Sequence, residues 1–153
     1  AIIIIQIVIL GIGPSPTSLK ALRKLKSYLP KELKKGTVVD LGSGFGLVSL
    51  WLAKQYPSHK VVGYEKSWIP LLFSKSLSLF ARNLSFRREC IYQIDLSRKA
   101  LIYTYLFGAG MKKLKNAKFN GIWISYCFAH PSARLTQTVN TYDLYHSSFY
   151  IYH

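Results

Sequence analysis

Apolar positions along the chain change their period three times. Residues 1–13 read AIIIIQIVILGIG, apolar almost throughout and broken only by Gln6 and the glycines. The β-branched isoleucines would suit a buried strand, whereas a terminus opening on Ala1 would suit the cut end of a longer hydrophobic helix. The run falls short of the roughly 20 residues that span a bilayer. It is read as a truncated membrane anchor, with the buried strand as the alternative. The pattern then becomes helical. In PSPTSLKALRKLKSYLP, Leu19, Leu22, Leu25 and Leu29 recur at helix spacing between lysines, with Ser15 and Thr17 as cap candidates. The basic face of this helix is either simply solvated or laid on anionic lipid.

From residue 37 the pattern alternates strand and helix. Strands are expected at Thr37–Leu41, Lys60–Tyr64, Ser85–Glu89, Ala100–Phe107 and Gly121–Phe128. Helices are expected at Leu47–Tyr56, after a Ser67 cap with Trp68, Leu71, Leu72, Leu79 and Phe80 on its apolar face, and at Ala109–Ala117. The tail alternates in Leu135–Tyr142, turns through Asp143 and closes with Ser147–Tyr152. Successive βα units demand a parallel sheet covered on both faces. The expected class is therefore α/β: a Rossmann-like, doubly wound, mainly parallel seven-stranded sheet with a C-terminal antiparallel pair, in one domain over residues 14–153.

Charge narrows the partners. Twenty-one lysines and arginines stand against six acids, a net +15, so the surface attracts nucleic acid, anionic lipid or an acidic protein face. Cys90 and Cys127 lie in apolar surroundings without metal-ligand spacing. They read as buried free thiols of a reducing compartment, and no zinc site is expected.

Against that background the stretch VVDLGSGFG stands out, with Asp40 just ahead of Gly42, Gly44 and Gly46. A glycine loop between strand and helix brings a ligand up to backbone amides and a helix N-terminus. The spacing is neither the GxGxxG of the dinucleotide fold nor a GK[ST] phosphate loop. A carboxylate ~4 Å from a pyrophosphate would cost about 1 to 4 kcal/mol per charge pair, whereas a ligand bearing an ammonium and a sulfonium would gain from it. S-adenosylmethionine has both cations and no phosphate. Glu65 ends the next strand, where a carboxylate can accept both ribose hydroxyls. Glu89 follows the third strand and Asp95 precedes the fourth, so four of the six acids are expected near the carboxyl edge of one sheet.

Residues 37–66, with DLGSGFG and VVGYEKS as first and second motifs, resemble the class I S-adenosylmethionine-dependent methyltransferases. The resemblance implies cofactor contacts from Asp40, Gly42, Ser43, Gly44, Gly46, Glu65, Lys66, Glu89 and Asp95. A wider likeness runs through PSPTSLKALRKL, ECIYQIDLS, YTYLFGAGMKKLK and IWISYCFAHP. In that order the chain is similar to the small membrane-associated protein-lysine methyltransferases whose mitochondrial members modify the ATP synthase c subunit and the adenine nucleotide translocase. That likeness implies a hydrophobic segment ahead of the domain, a membrane-embedded protein substrate and a membrane-associated or cytoplasmic location, mitochondrial in a eukaryote. Two positions depart from it: Lys99-Ala100 replaces an acid before the fourth strand, and Phe107-Gly108 replaces a proline turn after it.

Methyl transfer to lysine needs positioning and a neutral amine more than acid–base chemistry. Aromatic rings at the end of the fourth strand, Tyr103, Tyr105 and Phe107, are the catalytic candidates, with core packing as the competing role. His130 in FAHPS reads as a turn residue before it reads as a general base. The Asn/Asp-Pro-Pro-aromatic signature of nucleic-acid amino-methyltransferases is absent where the chain reads TYLFGAG. RNA or DNA methylation and a non-catalytic cofactor-binding module remain the two alternatives.

Overall fold

The computed structural model describes residues 17–142 and 146–153. The anchor reading of residues 1–13, the Ser15 cap and the turn at Asp143 lie outside the described residues. Helix α1 spans Leu19–Lys26. Its N-cap is Ser18, whose hydroxyl accepts from the Ala21 N–H at 3.1 Å. Thr17 does not cap, because its hydroxyl shares a hydrogen bond with the Tyr103 hydroxyl at 2.7 Å.

The remaining elements follow as β1 (Thr37–Leu41), α2 (Leu47–Gln55), β2 (Val61–Tyr64), α3 (Trp68–Leu77), β3 (Leu84–Arg87), β4 (Lys99–Thr104), α4 (Gly108–Lys113), β5 (Ile122–Tyr126), β6 (Leu135–Asn140) and β7 (Ser148–Tyr152). They form one seven-stranded sheet in the order β3-β2-β1-β4-β5-β7-β6. The first five strands are parallel, and β7 runs antiparallel between β5 and β6. The expected class is borne out. Strand order reverses between β1 and β4, and in open α/β sheets the crevice outside the carboxyl ends at such a point is where ligands sit.

Alternating strand residues divide between two cores. Val38, Val61, Leu101 and Ile124 pack under α1, α2 and α3. Val39, Val62, Ile102 and Trp123 face the other way, onto Met111 and Leu114 of the α4 region.

Several boundaries move for identifiable reasons. β4 stops at Thr104 instead of Phe107 because pairing with β1 and with β5 both end there. β5 stops at Tyr126: Cys127 takes a left-handed φ of 66°, its N–H goes to the Ser148 carbonyl, and the Ser125 hydroxyl turns onto the Phe128 carbonyl. Past Lys113, α4 tightens into turns in which Leu114, Lys115 and Ala117 each donate three residues back. Cys90 and Cys127 form no disulfide and are half-buried, not buried. The apolar face expected for α3 is the largest correction. Leu71 is buried, but Trp68, Leu72, Leu79 and Phe80 are all exposed. Among the described residues no helix is long and apolar enough to cross a membrane.

Candidate cofactor site at the glycine loop

The loop after β1 is built from three left-handed glycines, Gly42, Gly44 and Gly46, with φ of 79°, 53° and 82°. Side chains seldom adopt that conformation. The N–H groups of Gly42 and Ser43 both donate to the Tyr64 carbonyl at 2.9 Å, which ties the loop to the end of β2. A Cβ on Gly46 would lie 2.6 Å from the Phe86 ring, whereas one on Gly44 would meet nothing. Gly44 therefore faces open space.

Four polar features surround that space. Gly46, the N-cap of α2, has no side chain to act as acceptor, so the amides of the first helical turn have no side-chain partner at the cap and suit an anionic group. The Ser43 Oγ is buried with no hydrogen-bond partner. Glu65 accepts from the Gly44 N–H at 3.0 Å through Oε2 and from the Ser67 N–H at 2.7 Å through Oε1. Each oxygen keeps a further lone pair for a ligand hydroxyl. Asp40 lies behind the loop, buried, with the Ser49 hydroxyl donating to Oδ2 at 2.6 Å. Burial pushes its pKa up to about 7; the Ser49 bond opposes this and the Glu65 charge adds to it.

The other rim comes from the chain leaving β4. Leu106 reaches the loop, since a Cβ on Gly42 would lie 3.0 Å from its Cδ2. Its neighbours extend an aromatic wall toward β5: Tyr105 meets Tyr126 edge-on at 4.9 Å, and Phe107 tilts on Phe128 at 5.7 Å. Tyr105 and Phe107 thus lie at the carboxyl edge beside the loop. Tyr103 does not. It is 1% exposed, its hydroxyl spent on Thr17, and burial raises its pKa well above the usual phenol value. It is a core residue and leaves the catalytic set.

The four acids do not all share one rim. Glu89, just past β3, is exposed and 3.8 Å from Arg87 Nη1. Asp95 lies at the amino edge: it accepts from the N–H and hydroxyl of Ser97 just ahead of β4 and lines a cavity of about 430 Å³ with Lys113, Leu114, Asn116, Ala117 and Lys118, on the segment that leads into β5. The 88–98 connection has by then crossed to the opposite end of the sheet. Its carboxylate is held below the usual range by the Ser97 bonds. Lys66 is exposed, and its carbonyl accepts from Arg88 Nε at 3.0 Å. His130 is a turn residue: Nδ1 accepts from the N–H groups of Ser132 and Ala133, and the ring packs on Trp123 at 4.8 Å. Desolvation lowers its pKa.

Sequence reasoning missed Ser49, Leu106 and the Tyr126–Phe128 wall. Ser49 had a signal, a lone hydroxyl at a core position of the apolar run GLVSLWLA.

Comparison with known proteins agrees with this architecture. Residues 20–93 match the family model of the methyltransferase small domain. An RNA methyltransferase from Salinibacter ruber, solved with S-adenosyl-L-homocysteine, superposes with a TM-score of 0.72 at 19% identity over 92% of each chain. The chain has the class I methyltransferase fold. The ribosomal protein L11 methylase of Lactobacillus delbrueckii subsp. bulgaricus shares that fold with a TM-score of 0.67 at 14% identity, over 91% of this chain and 79% of that one. A SAM-dependent methyltransferase from Aquifex aeolicus does so at 0.66 and 15%, over 90% and 92%. No curated protein matches this chain by sequence.

Proposed function

We propose that the protein is an S-adenosylmethionine-dependent methyltransferase acting on a lysine side chain of a membrane-associated protein. The observation that carries the cofactor assignment is the donor set around Gly44: uncapped helix amides, an unpartnered buried Ser43 hydroxyl, the Glu65 carboxylate and, behind them, Asp40 near its titration point. Amides suit a carboxylate, Glu65 suits vicinal hydroxyls, and two acids favour cations while disfavouring phosphate. S-adenosylmethionine, when bound, supplies a methyl group already activated by its sulfonium.

The chain's own contribution is positioning. Glu65 and the loop amides fix the ligand. Tyr105 and Phe107, on the wall that Leu106 ties to the loop, offer rings against which a lysine stem can lie while water is excluded and the amine is kept neutral. The lysine assignment is supported by the resemblance in chain order and by the absent base-methylation signature. A second reading, RNA methylation, is supported by the +15 charge and by the Salinibacter RNA methyltransferase among similar structures. Incubation with methyl-labelled cofactor and, separately, membranes, total RNA and DNA tests the proposal. Label is expected in membrane protein as methyl-lysine; label in nucleic acid would replace the lysine reading, and label nowhere would leave only a binding module.

A further inference from the structure

Helix α3 is apolar on two opposite sides, and the fold uses only one of them. Leu71 and Ser74 are buried against the sheet, with Leu77 packed on the same core. The opposite side carries Trp68, Ile69, Leu72 and Phe73, continued by Leu79 and Phe80 of the following turn, all between 50% and 86% exposed. At helical spacing these six fall on one stripe, and Lys75 is the sole charge within the helix. A helix apolar all round belongs in a protein core or in contact with lipid. Single exposed apolar residues need no explanation, but six on one side of the helix, interrupted only by Ser76, do.

The charge around the stripe selects its occupant. Between Glu65 and Glu89 there is no acid, while Lys66, Lys75, Arg82, Arg87 and Arg88 are all exposed. Arg88 lies over the Trp68 ring at 4.4 Å, holding the indole at the border between the apolar stripe and its basic flank. Aromatic and aliphatic side chains flanked by an excess of cations, with Glu65 held by backbone amides and Glu89 paired with Arg87 at 3.8 Å, fit the boundary between headgroups and acyl chains of an anionic bilayer. We propose that this face of α3 is a membrane-docking surface that inserts its apolar stripe into an anionic leaflet. Because α3 begins beside Glu65 and Phe73 meets Phe45 of the glycine loop at 5.9 Å, docking sets the cofactor edge of the sheet at the bilayer. The proposal deepens the membrane-substrate reading and rests on it for its purpose, although lipid binding itself needs no catalysis.

The test is co-sedimentation of the full chain with vesicles of phosphatidylcholine alone or mixed with phosphatidylserine, read also by tryptophan emission. Of the three tryptophans, Trp123 is fully buried and Trp51 is packed against the core, so an environmental change on binding reports chiefly on the exposed Trp68. The expected result is binding to the anionic vesicles with a blue shift, and a loss of about tenfold or more per substitution in Leu72→Glu/Phe80→Glu. Lys20→Glu/Lys26→Glu on α1 should change binding less. Affinity for S-adenosylhomocysteine should be unchanged in both variants, which separates a failed surface from a failed cofactor site. Should the double variant unfold, Leu79→Glu, at a position 86% exposed, carries the same expectation. Undiminished binding by the α3 variants would overturn the proposal. So would a dimer in sedimentation that these variants dissociate without any vesicle binding, because the stripe would then be covered by a second copy.

Discussion

If Asp40 serves the ligand's ammonium, cofactor affinity must depend on pH in a way that Asp40→Asn abolishes. In the free protein burial raises its pKa from 3.8 to about 7, so the folded state holds a proton that the unfolded chain has released. The sign follows: ionisation of Asp40 costs the fold stability progressively as pH rises from near 4 to near 7. The ceiling is about 3 units at about 1.36 kcal/mol each, or ~4 kcal/mol. A bound ammonium would offset that cost by returning the carboxyl toward its ordinary range and expelling the proton. Affinity should therefore rise by up to about tenfold per pH unit below about 7 and flatten above it. Calorimetric titration with S-adenosylhomocysteine across that window, repeated in buffers of different ionisation enthalpy, reads both the slope and the proton released. Asp40→Asn should bind more weakly than the wild type above the window, without the slope, and should fold at least as well there because nothing charged is buried. A flat wild-type profile, or the same slope in Asp40→Asn, would refute the assignment.

Other outcomes follow from single contacts. Glu65→Ala should weaken S-adenosylhomocysteine binding by about 1 to 3 kcal/mol through lost charged hydrogen bonds, measured by the same calorimetry. Ser43→Ala removes a buried hydroxyl that has no partner, so thermal stability should hold or rise while affinity falls by about 1 kcal/mol. Gly63→Ala places a Cβ 2.5 Å from the Phe86 ring and 2.8 Å from Ser49 Oγ, and overpacking of this kind costs about 1 to 3 kcal/mol in chemical denaturation. Tyr103→Phe should lower stability by about 1 kcal/mol, by orphaning the Thr17 hydroxyl, and leave kcat unchanged; a collapse of kcat would return Tyr103 to the catalytic set.

Much of the architecture was legible because period and glycine placement carry it. Val38 to Leu41 and Val61 to Tyr64 are short β-branched or apolar runs closed by loops, and no competing element fits them. The glycine register located the loop, and Glu65 follows from the strand it ends. What failed was anything that depends on where the chain goes between elements. Asp95 looked near the rim because it precedes β4, but β3 and β4 are separated in the sheet by β2 and β1, and the crossover delivers it to the far end. Tyr103 and Tyr105 share a side of their strand, yet pairing ends at Thr104, which leaves one ring in the core and the other at the edge. The α3 stripe could not be read as outward, since an apolar helix announces burial without saying against what.

The central claim is that negative side chains at the loop select a positively charged, phosphate-free nucleoside. Side-by-side titration of the protein with S-adenosylmethionine, ATP and NAD tests it most directly. Saturable binding of S-adenosylmethionine, with ATP and NAD much weaker at low ionic strength, is the predicted result. Preferential binding of either phosphorylated nucleotide, displaced by the others in competition, would contradict it.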